Sequence, residues 1–274
     1  MKVLNRRQRM LIGLFCSLAF LVLICIGGTL YTEAARVTDF ARKNLPPCPE
    51  YMFGTDWLGR DMLARTLKGL SISIFIGITA AACSAMVALV LGIASATMGK
   101  LADSVISFLI DLILGVPHIL LLILISVAAG KGLRGVILGV ALTHWPSLAR
   151  LIRAEVIQLK ESPYIQISGK LGKSKWYIAR KHMLPHLLPQ FAVGLILLFP
   201  HAILHESSVT FLGFGLSTEQ PAIGIVLSEA MKYLVTGKWW LALFPGLLLV
   251  ATVVLFYVLG ESLRKLLDPN SVHQ

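Results

Sequence analysis

The chain has 274 residues, 56% of them hydrophobic and 14% charged, with a mean hydropathy of +0.78. A soluble domain carries about one quarter charged residues and a disordered chain is charge-rich and apolar-poor, so the composition argues against both. The excess of 25 Lys and Arg over 14 Asp and Glu gives +11, which suits basic segments held on the cytoplasmic side of a membrane protein, and no nucleic-acid partner is expected. Cys16, Cys25 and Cys83 lie inside apolar runs, so no disulfide framework is visible.

Crossing a bilayer takes about 20 apolar residues per helix, and lipid offers no partner to unpaired backbone groups. The expected fold is an all-α membrane protein with six transmembrane helices. The first, residues 10–30, is uncharged and follows a basic start. It is long and no A-x-A-like cleavage site follows closely, so it reads as a retained helix and not a signal peptide. Residues 1–30 then form a cytoplasmic amino terminus plus one span, residues 31–70 an external segment, and residues 71–274 a core of five spans. Those spans are residues 71–98, 104–129, 135–149, 187–204 and 239–260. The third holds one acid, Asp111, and the fourth is short, bounded by Arg134 and Arg150. Gly135-x-x-x-Gly139 is a spacing that suits close helix contact. Six spans leave both termini in the cytoplasm. The inside segments then hold 15 bases and five acids, the outside segments ten bases and eight acids, a bias that favours this orientation.

The longest cytoplasmic loop is residues 150–186. Ser162-Pro163 predicts a helix start, with a hydroxyl cap followed by a residue that needs no N–H. Gly172 stops that helix. Ser174 caps a second short helix carrying Trp176, Tyr177 and Ile178, and Pro185 ends it. The expectation is two short helices with a sharp bend at the membrane face. Apolar Ile165, Leu171 and Trp176 on an exposed loop call for a partner. From pattern alone, a basic helix lying on anionic lipid fits equally well. Gly172-Lys173-Ser174 is like the end of a phosphate loop, but Ile167 stands where that loop needs glycine. No nucleotide is expected on this chain.

Gln166-Ile167-Ser168, then Gly172, Ile178 and His182-Met183-Leu184-Pro185, resemble the "EAA" loop of inner-membrane permeases of ABC importers, with the acid and both alanines replaced. Four further segments resemble the dipeptide, oligopeptide and nickel permeases: Gly54-Thr55-Asp56-Trp57-Leu58-Gly59-Arg60-Asp61 with Arg65, Asp111 followed by Pro117, Ser207 to Gly215, and Gly260-Glu261-Ser262-Leu263-Arg264 with Leu267-Asp268-Pro269. Gln220-Pro221-Ala222-Ile223-Gly224 departs from that pattern, which has a tryptophan. The resemblance implies a multi-pass subunit of a bacterial inner membrane, and not an enzyme. A second permease would complete the path, two ATPase subunits would bind ATP and Mg, and an external binding protein would deliver the substrate; this chain would bind no cofactor. By the same resemblance Ser162, Gln166, Ser168, Gly172, Trp176, His182 and Pro185 would couple to the ATPases, and Gly54, Asp56, Gly59, Arg60 and Asp61 would form the external motif. Asp56, Arg60, Asp61 and Arg65 read either as a salt-bridged turn or as a surface for the binding protein.

His201 and His205 stand four apart on one helix face, a spacing that lets two imidazoles share nickel, copper or zinc. Nickel permeases resemble this chain there and at His144-Trp145. The first expectation for the cargo is therefore nickel or a metal chelate, met by His201, His205, His144 and Asp111; short peptides are the alternative. For Asp111 the favoured reading is a charge near the inner end of its helix, satisfied there by a basic residue or a backbone group. Six spans taken alone also fit a self-contained channel or carrier.

Overall fold

The computed structural model describes residues 6–217 and 220–267. Lys2, Glu219 and the Asp268-Pro269 pair lie outside the described residues. Among the described residues ten α-helices appear in chain order: α1 Arg6–Leu30, α2 Met62–Thr97, α3 Lys100–Gly115, α4 His118–Ala128, α5 Gly132–Glu161, α6 Pro163–Lys170, α7 Lys175–Ile178, α8 Leu184–Phe211, α9 Ile223–Leu234 and α10 Trp240–Leu267. Among these residues five helical stretches are long and apolar enough to cross a membrane, and the bent pair α3–α4 passes the same test together, which gives six if the pair crosses as one broken span and five if it re-enters. The protein is an all-α membrane protein.

The core is the pair α2–α5, whose contact is the most extensive in the fold. The α2 face is built from small residues: Ala80, Ala81, Ser84, Ala85, Ala88, Gly92, Ser95 and Ala96 are all buried. In lipid there is little hydrophobic drive between helices, so close packing of small side chains holds them together. At Gly92 a β-carbon would lie 2.9 Å from the Ala149 carbonyl oxygen. The sequence spacing at Gly135 and Gly139 does the same work elsewhere. There the α5 backbone meets α4, and a β-carbon on Gly135 would sit 2.4 Å from the Ser126 carbonyl oxygen. Helix α1 packs on α2 and α10, with Leu21 and Ile24 buried against Leu70, Ile74 and Phe256.

Four expectations change. Helix α2 begins at Met62, not at residue 71, because the Asp61 carboxylate accepts the Leu63 and Ala64 amides at 2.8 and 3.4 Å and starts the helix within the external segment. The third span is two helices bent by 101°. Pro117 causes the break: the residue before proline is pushed out of the helical region, and Val116 is extended, at φ −90°, ψ 139°. The short fourth span is in fact α5, 30 residues long. It passes the charged boundary because α3 neutralises it: Arg150 pairs with Asp111, and Arg153 holds Asp103 through two bonds of 2.6 and 2.7 Å. Last, Pro185 ends no helix. A π-helical turn, Ala179–Met183, runs straight into α8, and Pro185 falls in the first turn of α8, where proline costs least.

Helix α9 was missed. It is only 12 residues long, yet it buries Ile223, Gly224, Ile225, Val226 and Ala230 against α2, α8 and α10. A β-carbon on Gly224 would approach the Ser207 carbonyl oxygen to 2.4 Å. The segment without the tryptophan therefore wedges into the bundle and does not form an open loop.

Candidate functional site

The expected residues fall in three places: the loop after α5, the motif before α2, and the histidines of α4, α5 and α8.

The loop folds as two short helices with a bend. Ser162 is extended, at ψ 138°, and Pro163 opens α6, but the Ser162 hydroxyl donates to the Leu159 carbonyl and caps nothing. The end of α6 is closed by two backbone bonds, Gly172 N–H to Gly169 at 3.0 Å and Lys173 N–H to Ser168 at 3.2 Å. This closure needs a left-handed residue, and Gly172 has φ +78°. Ser174 does cap the next helix: its Oγ accepts the Tyr177 amide at 3.1 Å. Gln166 Nε2 donates to the Glu161 carbonyl at 3.1 Å, tying α6 back to α5. His182 lies 6.0 Å from the rings of both Tyr164 and Tyr177.

The loop has an anchored side and a free side. Ile165, Ile178, Met183 and Leu187 join the buried cluster around Val156 and Leu159. Ile165, expected to be exposed, is instead the anchor. The free side carries Ile167, Leu171 and Trp176, the last two more than 70% exposed. These are exposed apolar side chains on either side of an ordered bend, and they suit a protein groove.

The motif before α2 is a salt-bridged turn. Asp56 is fully buried; one carboxylate oxygen accepts the Leu58 and Arg60 amides at 2.8 and 3.0 Å, and the other meets Arg60 Nε at 2.7 Å and Arg65 Nη1. Arg65 is 1% exposed and its second nitrogen bonds Glu229 of α9 at 2.7 Å. The Trp57 ring stacks on Tyr233 at 4.9 Å, with both guanidinium groups over it. Gly59 has φ +75°, and a β-carbon there would overlap the Asp39 carbonyl oxygen at 1.7 Å; at Gly54 one would reach the Leu45 carbonyl oxygen at 2.5 Å. Burial pushes the Asp61 carboxyl up, against the pull of the two amides it caps. Glu229 was not anticipated, because its helix was not.

The histidines regroup. His118, His144 and His205, from α4, α5 and α8, bring their ring nitrogens within 4.8 Å of one another. Ring centroids are separated by 4.4 Å for His118–His205, 4.6 Å for His118–His144 and 5.1 Å for His144–His205. His144 is 8% exposed; its Nδ1 faces the Val140 carbonyl at 2.9 Å, and its Nε2 has no partner, nor has the Nε2 of His118. His201, expected to share an ion with His205, is exposed and lies outside this cluster. His118 takes its place, brought in by the bend at Pro117. Asp111 points its carboxylate at Arg150, not at a histidine.

The profile of the family described as "Binding-protein-dependent transport system inner membrane component" matches residues 88–272. The dipeptide transport system permease protein DppC of Bacillus subtilis is 33% identical over 97% of this chain and 83% of that protein. The oligopeptide transport system permease protein OppC of the same organism is 34% identical over 85% of this chain and 76% of that protein. Among solved structures, a chain of the MetNI methionine ABC transporter in an inward-facing conformation aligns with a TM-score of 0.61, covering 76% of this chain and 98% of that chain at 19% identity; this likeness concerns the fold.

Proposed function

We infer the role of this chain from its family: it belongs to the inner-membrane components of binding-protein-dependent transport systems. It is a multi-pass permease subunit of an ABC importer, and not an enzyme. A second permease completes the path, and two ATPase subunits carry the ATP and Mg chemistry. An external binding protein delivers the cargo. Both termini face the cytoplasm, so the loop around Gly172 meets the ATPases and the turn around Asp56 lies outside. Nucleotide-driven closure of the ATPases moves the loop and biases the helices between two states.

The observation that carries this reading is the free apolar edge of Ile167, Leu171 and Trp176 on a bend pinned by buried Ile165. Trp176→Ala is expected to leave the protein in the membrane at its normal level and to weaken co-purification of the ATPase subunits. Unchanged ATPase recovery in that variant, or a functional importer purified without any ATPase, would favour a self-contained channel or carrier and overturn the reading.

The cargo is a short peptide, as the names of the relatives suggest. A second reading, nickel or a metal chelate, is favoured by one observation, the three converging imidazoles. Competition of labelled dipeptide uptake by unlabelled peptides against nickel separates the two.

A further inference from the structure

We propose that His118, His144 and His205 bind a single divalent transition-metal ion of the nickel, copper and zinc class inside the helix bundle. The inference rests on the metal reading of the cargo only for what the ion is doing there. The site itself stands on its geometry.

Three imidazole nitrogen donors from three different helices converge within 4.8 Å. The large majority of buried side-chain nitrogens have a hydrogen-bond partner. Here the Nε2 atoms of His118 and His144 have no partner, and His144 is more than nine-tenths buried. An unpaired polar atom at such depth is costly unless something takes it. The other side of the His144 ring is held: Nδ1 lies 2.9 Å from the Val140 carbonyl and 3.1 Å from the Thr143 hydroxyl, and since a carbonyl only accepts, the tautomer with its proton on Nδ1 leaves Nε2 as the free donor atom. A carbonyl behind a ligating histidine is the usual outer support of a metal site, because it holds the ring and its tautomer. Tetrahedral nitrogen ligands about 2.1 Å from an ion stand about 3.4 Å apart, so the rings close by roughly 1 Å or more on loading. His118 opens α4 just after the bend and His205 is half-buried in α8.

The donor set defines the ion. Glu206, the acid beside His205, is fully buried and occupied by the Thr210 and Ser207 hydroxyls at 3.0 and 3.2 Å. With no carboxylate and no thiolate in the cluster, hard ions such as magnesium and calcium are disfavoured, and imidazole-seeking ions are preferred. Three ligands leave a fourth position open, which a water or a group carried with the ion fills.

The test is a cobalt(II) titration of the purified full-length protein in lipid nanodiscs, read by visible absorption and checked with nickel by calorimetry. One ion per chain with a nitrogen-rich tetrahedral spectrum is expected. His144→Ala and His118→Ala should each weaken binding by about tenfold or more, while His201→Ala, at a neighbouring position outside the cluster, should bind as the parent does. Helix content by circular dichroism guards against misfolding, and two independent variants keep the result interpretable. No stoichiometric binding by the parent protein, or equal loss in His201→Ala, overturns the site. If the ion binds as described but cellular nickel uptake is unchanged in His118→Ala, the site stands and the metal cargo reading falls. ATPase co-purification reports separately on the permease role.

Discussion

Replacement of Gly172 isolates the mechanical step. The residue sits at φ +78°, and a β-carbon built on it meets nothing within 4 Å. The penalty of substitution is thus purely conformational. A left-handed backbone costs an ordinary L-residue about 1–2 kcal/mol, more for a β-branched one and less for asparagine, which tolerates this region. That energy falls on the two bonds closing α6, from Gly172 and Lys173 to Gly169 and Ser168, and not on the core. A shift of 1–2 kcal/mol changes the population of the bent form by about 5- to 30-fold. The order of effect is therefore Asn, then Ala, then Val. Assayed in proteoliposomes holding the whole importer, substrate moved per ATP hydrolysed should fall in that order, while membrane abundance and melting temperature stay near the parent values. Equal coupling in Gly172→Val and the parent would refute the reasoning, because the strained bend would then be irrelevant to transmission. A large drop in abundance would refute it too, by showing that the bend supports the fold.

Two further outcomes follow from the packing. Asp56→Ala leaves Arg65, 1% exposed, with Glu229 alone; breaking a buried pair costs about 3–5 kcal/mol, so the detergent-solubilised protein should melt well below the parent, and the double change Asp56→Ala with Arg65→Met should recover part of the loss. Gly135→Ala forces a β-carbon to 2.4 Å from the Ser126 carbonyl oxygen; prying α4 from α5 is expected to cost about 1–3 kcal/mol, seen as a lower melting temperature, whereas Gly115→Ala, which meets nothing within 4 Å, should change little.

The spans were legible because lipid imposes a strong rule: long uncharged runs must be helices. Boundaries were not legible where a distant residue decided them. Arg150 looks like the end of a span until Asp111, on another helix, is found opposite it. The bend at Gly172 could be read directly, since a local backbone requirement selects the residue, and the cap at Ser174 likewise. Ile165 was misplaced because a loop only eight residues long between breaks carries too little periodicity to tell an anchored side from a free one. His118 is the one histidine of its own apolar run, residues 104–129. Its meeting with His144 and His205 depends on a 101° turn, and no spacing in one dimension encodes that angle. Glu229 was hidden for a similar reason, being recruited across 164 residues by a buried arginine.

Helix α5 runs unbroken from His144 to Glu161, a stretch of about 25 Å, with Pro146 as a single soft joint just beyond the imidazole. The element that presents His144 and the element that carries the docking bend are thus one piece of chain. A pedal pressed at the far end needs no relay of side chains to be felt at the ring: the same rod tilts, and whether it tilts whole or flexes at its proline sets how much of the stroke arrives.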